Sequence, residues 1–521
     1  MCSDKKNPMI GAECLLRTLL ANQVDLCLMN PGTSEMQFVA ALDRVPAMRG
    51  VLGLYEGVCS GAADGYARMR GMPAATLLHL GPGLANALAN LHNARKARSP
   101  VVNIVGQHST QHLAYDAPLS ADIEAFARPV SGWVRTLQSS AAMGQAASAA
   151  VAAALGPPGK VATLIVPADF SWSEAGEPGS AAPRAGRSLP PSERVRGIAD
   201  ALRSGRPVGL LLGGSALQAR GLCAAGRLRA ATGVRVFSDR HAARLTRGRG
   251  IPAVERIPYF PEPAQALLAG FELLVLVETR PPVSFFGYPG VRSALAPAAC
   301  AFETLASEDQ DGAGALEWLA REMGARDHSA ATPPPPSLPI GERLSAASVG
   351  RTVGALAPEG AILSDESVSC SEQIWPHLAG AATHDHLPVT GGAIGQGLPV
   401  AMGAALACPG RKVVALEADG SGLYTLQALW TMARERLDVT TVILANRRYR
   451  ILDIEMRRTG AGPVGARAEQ MIDLTHPAPD WVKLAEGLGV QAARASTADE
   501  FIGEFGAAMR EPGPRLIEAV L

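Results

Sequence analysis

The chain has 521 residues, 47% of them hydrophobic, and 48 basic residues balance 48 acidic ones to a formal net charge of zero. At ~150 residues per domain that length implies about three domains, and a balanced charge with no basic stripe argues against a nucleic-acid or membrane-surface binder. Only six of the basic residues are lysines, which counts against a cofactor held as a lysine Schiff base.

In chain order, short apolar runs alternate with longer helical patterns. Met1 to Leu20 carries two lysines and then mixed residues, without the apolar core or cleavage site of a leader, so a cytoplasmic location is expected. GPG at Gly81 opens a helical stretch, and VVNIVG from Val101 and ATLIVP from Ala162 read as strands. The Ala-rich run from Ala141 to Leu155 is shorter than the ~20 residues that cross a bilayer. A Pro-rich break follows at Pro183 to Pro191, then the strand candidates VGLLLGG from Val208 and LLVLVE from Leu273, then a second break at Pro333 to Pro339. The last third holds KVVALEADG from Lys412 and VTTVILAN from Val439. Such alternation predicts an α/β protein of three doubly wound parallel-sheet domains, at residues 1–182, 192–331 and 340–521. The first and third share a layout of Gly-rich turn, helix and strand, which points to two related domains flanking a different one. The eight cysteines, Cys2 among them, contain no CxxC pair, and free thiols buried in a reducing compartment are expected.

Chemistry concentrates at a few of these junctions. Asp419 closes an apolar strand, glycines at 420 and 422 permit a tight turn into a helix expected from Leu423, and Asn446 closes the next strand 27 residues later. Open α/β sheets bind phosphorylated ligands at such strand ends. Magnesium wants this oxygen set, completed by a backbone carbonyl and ligand phosphates.

These residues resemble the thiamine-diphosphate signature of the acetolactate synthase, pyruvate decarboxylase and benzoylformate decarboxylase superfamily. The resemblance departs at Ala418 and Ala445, where the family has glycine and asparagine. It implies metal coordination by Asp419, Asn446 and the main-chain carbonyl of Arg448. It further implies cofactor contacts from Gly420, Ser421, Tyr449 and Leu452. LYEGVCSGAADGYARM from Leu54 resembles the family's glutamate helix and implies that Glu56 activates the cofactor. That chemistry calls for a carboxyl group in a largely apolar pocket, able to hold a proton against the aminopyrimidine and promote the C2 carbanion. By local pattern alone, Glu56 reads equally as a surface residue starting a helix. TGGAIGQGLP from Thr390 resembles the cofactor-bending loop, with Ile394 as the apolar wedge and the Gly392 carbonyl as acceptor. SDESVSCSEQ offers Ser367 and Ser369 to the diphosphate, with Val368 where some relatives carry a hydroxyl.

Two positions tilt the expected reaction toward decarboxylation of a 2-oxo acid. NPGTSE resembles the benzoylformate decarboxylase loop, placing Thr33 at its active-site serine, and LLHLGPG places His79 at its catalytic histidine. A histidine near neutrality can protonate the enamine left after carbon dioxide departs; the alternative is a histidine bonded within its own loop. In SFFGYPG, Phe286 stands nearest the family's second histidine. His108, His112 and Tyr115 are further candidates for the substrate entrance. The middle segment lacks the flavin pattern of acetolactate synthases, so no FAD is expected. The resemblance implies a homodimer with shared active sites, and a tetramer of such dimers. Acetolactate-synthase-like carboligation and a cofactor-binding pseudoenzyme or regulatory subunit remain the alternatives.

Overall fold

The apolar runs form the buried central strands of three parallel sheets in a computed structural model that describes residues 8–326, 333–462 and 464–521. Cys2, the first seven residues and the boundary at 331 lie outside the described residues. In chain order the strands are β1 Leu26–Asn30, β2 Arg49–Leu52, β3 Ala74–Leu78, β4 Val101–Gln107, β5 Trp133–Thr136 and β6 Val161–Pro167. The middle third adds β7 Val208–Leu212, β8 Arg235–Ser238, β9 Leu245–Arg247, β10 Glu255–Arg256, β11 Leu273–Val277 and β12 Ala301–Ala306. The last third adds β13 Ile362–Glu366, β14 His384–Pro388, β15 Val413–Ala418, β16 Val439–Ala445, β17 Gln491–Ala495 and β18 Arg515–Val520.

The first sheet runs β2-β1-β3-β4-β6-β5, and the third runs β17-β18-β16-β15-β13-β14-β9. Ranked by chain position, the six strands of the first sheet and the six parallel strands of the third follow one order, 2-1-3-4-6-5. The kinship read from a Gly-rich turn, helix and strand thus extends through the whole topology. The third sheet differs by one edge strand, β9, which the middle of the chain lays antiparallel on β14. The middle sheet, β10-β8-β7-β11-β12, is all parallel with a different order. Central strands such as β3, β7 and β16 are buried throughout, as parallel strands covered on both faces must be.

Packing divides the chain into two compact units. One holds Met1–Ala185, Val389–Gly410 and Tyr424–Asp438; the other holds Gly186–Pro388, Arg411–Leu423 and Val439–Leu521. The boundary after Ala185 falls inside the first Pro-rich break. In the first unit the helix Gly397–Ala407, buried along its whole length, packs on the helix Glu56–Arg70. Two glycines set that close approach: a Cβ on Gly65 would lie 2.2 Å from the Val400 carbonyl oxygen, and one on Gly403 1.9 Å from that of Ala62.

Two local expectations change. The helix expected from Leu423 instead starts at Asp419, runs only to Gly422, and is followed by a separate helix Ala428–Arg434. Five of the seven described thiols are buried, but Cys223 is exposed and Cys408 half-buried.

Candidate functional site

Glu56 opens the helix Glu56–Arg70 and is 7% exposed. Its Oε1 accepts from the Asn30 side chain at 3.2 Å and its Oε2 from that of Asn86 at 2.9 Å. Asn30 ends β1, and Asn86 stands in the helix Leu80–Ala97, so the carboxylate is held between two elements that the fold brings over the helix start. The largely apolar pocket expected around Glu56 is therefore lined in part by two carboxamides. His79 precedes the Leu80–Ala97 helix, and its Nδ1 meets Glu35 Oε2 at 2.8 Å. Thr33 begins the short 3₁₀ turn Thr33–Glu35 and is exposed. Beyond β4, His108, His112 and Tyr115 form a row of rings with successive centroids 5.2 Å and 5.8 Å apart. Burial, then the neighbouring His112 and His79, lower the His108 pKa, which favours its neutral form.

The same unit holds the loop of Gly392 and Ile394, and a polar clamp fixes it there. Asn93 donates to the Ala393 carbonyl at 2.8 Å and accepts from its N–H at 3.2 Å, while Asn90 donates to Gly395 O at 3.2 Å. Asp64 and Arg68 form a buried ion pair on the Glu56 helix. Asp64 also accepts from Gln396 at 2.8 Å, and Arg68 donates to Thr390 Oγ1 at 3.0 Å. Such a pair is tolerated in low dielectric only when its remaining hydrogen-bonding groups are engaged. The ADGYAR segment behind Glu56 thus ties the helix to the loop. Gly392 takes a φ of +79°, a conformation that favours glycine, and Ile394 is half-buried.

Asp419, Gly420, Ser421, Asn446, Arg448, Tyr449 and Leu452 come together in the other unit. β15 and β16 are parallel neighbours with Ala418 opposite Leu444, so Asp419 and Asn446 leave adjacent strands at the same sheet edge. The Asp419 carboxylate accepts from the main-chain N–H groups of Gly420 and Arg447. Burial, with Glu518 adding to it, pushes its pKa up to about 6 despite those bonds. Asn446 Oδ1 accepts from Arg448 N–H at 2.9 Å. Gly420 has no room for a side chain, because a Cβ would lie 2.4 Å from the Tyr449 ring. Leu452 is exposed.

This donor set fits a hard divalent cation: a carboxylate, an amide oxygen and the Arg448 carbonyl, with a buried anion that a cation would stabilise. The serines fit the expected diphosphate contacts less simply. Ser367 Oγ donates to Asp365 at 2.5 Å and Ser421 Oγ to Glu417 at 2.5 Å, so both hydroxyls turn toward buried carboxylates. Ser369 lies half-buried in the turn Val368–Cys370. Phe286 is 52% exposed and packs edge-on against Phe285, centroids 4.8 Å apart.

The sequence reading missed Asn30, Glu35, Asn86, Asn90 and Asn93. Asn30 and Glu35 stand in the quoted NPGTSE, but nothing local says that residues 30, 56 and 86 converge.

The family model for the thiamine pyrophosphate enzyme N-terminal TPP binding domain matches residues 9–127, and that for the C-terminal TPP binding domain matches residues 370–519. A provisionally named acetolactate synthase large subunit, IlvX, of Mycobacterium tuberculosis is 51% identical over 98% of this chain and 99% of its own. A benzoylformate decarboxylase of Pseudomonas aeruginosa is 30% identical over 94% of each chain. The structure of the thiamine diphosphate-dependent 4-hydroxybenzoylformate decarboxylase of Rhodococcus jostii RHA1 superposes with a TM-score of 0.86 at 26% identity, covering 98% of this chain and 99% of that one. With both terminal models matched, and full-length relatives on either side of the decarboxylase and synthase divide, the chain belongs to the thiamine pyrophosphate enzyme family.

Proposed function

We propose that the protein decarboxylates a 2-oxo acid in the manner of benzoylformate decarboxylase, with thiamine diphosphate and magnesium. The observation that carries this reading is His79, held beside β1 in the compact unit that also anchors Glu56. A decarboxylase must return a proton to the carbon that loses carbon dioxide, and an imidazole is suited to that transfer near neutral pH. When bound, thiamine diphosphate supplies the nucleophilic carbon that adds to the 2-oxo group and takes up the electrons released with carbon dioxide.

In this reading Glu56 holds a proton at the aminopyrimidine, with Asn30 and Asn86 fixing its orientation. The Gly392 carbonyl would accept from that ring, and Ile394 would give the cofactor an apolar support. Asp419, Asn446 and the Arg448 carbonyl hold magnesium. Gly420, Ser421, Tyr449 and Leu452, together with Ser367 and Ser369, surround the diphosphate. His79 delivers its proton from Nε2, and Thr33 takes the place of the active-site serine of the benzoylformate decarboxylase loop. The domain limits are 1–182 for pyrimidine binding, 192–331 for a central domain without flavin, and 340–521 for diphosphate and magnesium. The working form is a cytoplasmic homodimer, or a tetramer of such dimers, with shared sites.

Acetolactate-synthase-like carboligation is the second reading, favoured by the name of the 51%-identical relative. Single-turnover assays on aliphatic and aromatic 2-oxo acids separate the two. Decarboxylation predicts aldehyde in step with carbon dioxide, and His79→Ala should slow aldehyde release by about 10²-fold or more while sparing carbon dioxide release. Acetolactate from pyruvate as the main product, unchanged by His79→Ala, would replace the decarboxylase reading with the carboligase one.

A further inference from the structure

The NPGTSE loop does more than carry Thr33. Glu35, its last residue, is wholly buried, and its Oε2 receives both the Gly32 N–H at 2.9 Å and His79 Nδ1 at 2.8 Å. Its Oε1 is buried without a hydrogen-bond partner among the described residues. Two glycines leave the space for this pair. A Cβ on Gly106 of β4 would sit 1.7 Å from Glu35 Oε1, and one on Gly32 would sit 2.3 Å from His79 Cγ. Burial pushes the Glu35 carboxyl above the ordinary range, against the lowering pull of His79 and the Gly32 N–H. A buried carboxyl with one oxygen unmet is costly to keep. Among the described residues, its one ionisable hydrogen-bond partner is the imidazole.

We infer that Glu35 is the positioning residue of His79, fixing the ring plane and the proton-bearing nitrogen so that Nε2 is the donor offered to the reacting carbon. A carboxylate on Nδ1 selects the tautomer with a proton there and turns Nε2 away from itself. The protonated ring carries hydrogen on both nitrogens. Transfer breaks the Nε2–H bond and forms the C–H bond of the product, leaving a neutral ring whose Nδ1–H still donates to Glu35. Solvent then restores the Nε2 proton, because the His79 side chain is 21% exposed. The ring keeps one orientation through both protonation states. An acid on a flexible loop has no such constraint.

This inference rests on the reading of His79 as proton donor, and its test distinguishes the two. The holoenzyme and its Glu35→Gln, Glu35→Asp, His79→Ala and Glu35→Gln/His79→Ala variants are compared in single turnovers that follow carbon dioxide and aldehyde separately. Thermal melting establishes that each variant is folded. Glu35→Gln preserves volume but not charge, and Glu35→Asp keeps the charge but is one methylene short. Each should slow aldehyde release by roughly 10–100-fold, with carbon dioxide release and KM nearly unchanged. The double variant should be no slower than His79→Ala, since a residue that acts through another adds nothing once that other is gone. The imidazole Nδ1–H resonance, assigned by its loss in His79→Ala, should move in Glu35→Gln. An unchanged product ratio in His79→Ala sinks the proton-donor reading, and the catalytic use of the pair with it. A changed ratio in His79→Ala beside an unchanged one in both Glu35 variants, or additive losses in the double variant, overturns the positioning role alone.

Discussion

The first and third sheets share one strand order yet hold their key carboxylates in opposite ways. At Glu56 the partners are the side chains of Asn30 and Asn86. At Asp419 they are the main-chain N–H groups of Gly420 and Arg447. A side-chain partner can be lost or tuned by one substitution, whereas a main-chain partner is as fixed as the turn that carries it. The contrast suits the proposed roles. A proton-holding carboxyl needs an adjustable environment, and a metal-binding carboxylate needs a rigid one. One sheet topology can hold both because each carboxylate stands just past a strand end, at the start of the following helix.

Four experiments would break or sharpen that contrast, and the largest effect belongs to Asp419. Asp419→Ala should abolish measurable binding of thiamine diphosphate with magnesium, because the remaining ligands cannot offset the charge of the diphosphate. Titration calorimetry measures this, and unchanged affinity would remove Asp419 from the metal site. Next, Glu56→Gln should bind cofactor normally but lose about 10²–10⁴-fold in C2 proton exchange, because an amide cannot supply the proton. Deuterium exchange followed by NMR reads it, and near-normal exchange would take Glu56 out of its role.

Mixing these two inactive variants sharpens the comparison further. If the Glu56 and Asp419 clusters of different chains serve one cofactor, exchange of subunits should restore a fraction of the activity. Absence of rescue, with exchange demonstrated by labelled chains, would place both clusters of a working site in one chain. The smallest effect is expected at Asn86. Asn86→Ala removes one hydrogen bond to a buried carboxylate and should reduce C2 exchange roughly tenfold without changing cofactor affinity. A loss as large as that of Glu56→Gln would mean that Asn86 shapes the fold around Glu56 rather than trimming its orientation.

Much of this organisation is legible in the residues themselves. Continuous apolar runs such as VGLLL and LLVLV marked the buried parallel strands β7 and β11, because strands covered on both faces take apolar side chains at nearly every position. The Gly-rich turn at Gly420 and Gly422 marked the end of β15. Asp419 and Asn446, one strand apart, were legible as neighbours because parallel strands joined by a helix align their carboxyl ends. Other features depended on tertiary structure. Asn86 reaches Glu56 from 30 residues away, and Asn90 and Asn93 grip a loop some 300 residues later in the chain. Their helix looks ordinary in sequence, since an asparagine's partner depends on what the fold sets opposite it. Local pattern also gave no sign that Ser367 and Ser421 would turn their hydroxyls toward buried carboxylates. Nor did it show that Glu35 would lie beneath His79, a contact that exists only because β1, β3 and β4 stand side by side. The sequence alone determined the buried strands and the strand ends at which Asp419 and Asn446 stand side by side. The tertiary structure decided which polar groups face the carboxylates, because such contacts join distant parts of the chain and leave no local periodicity.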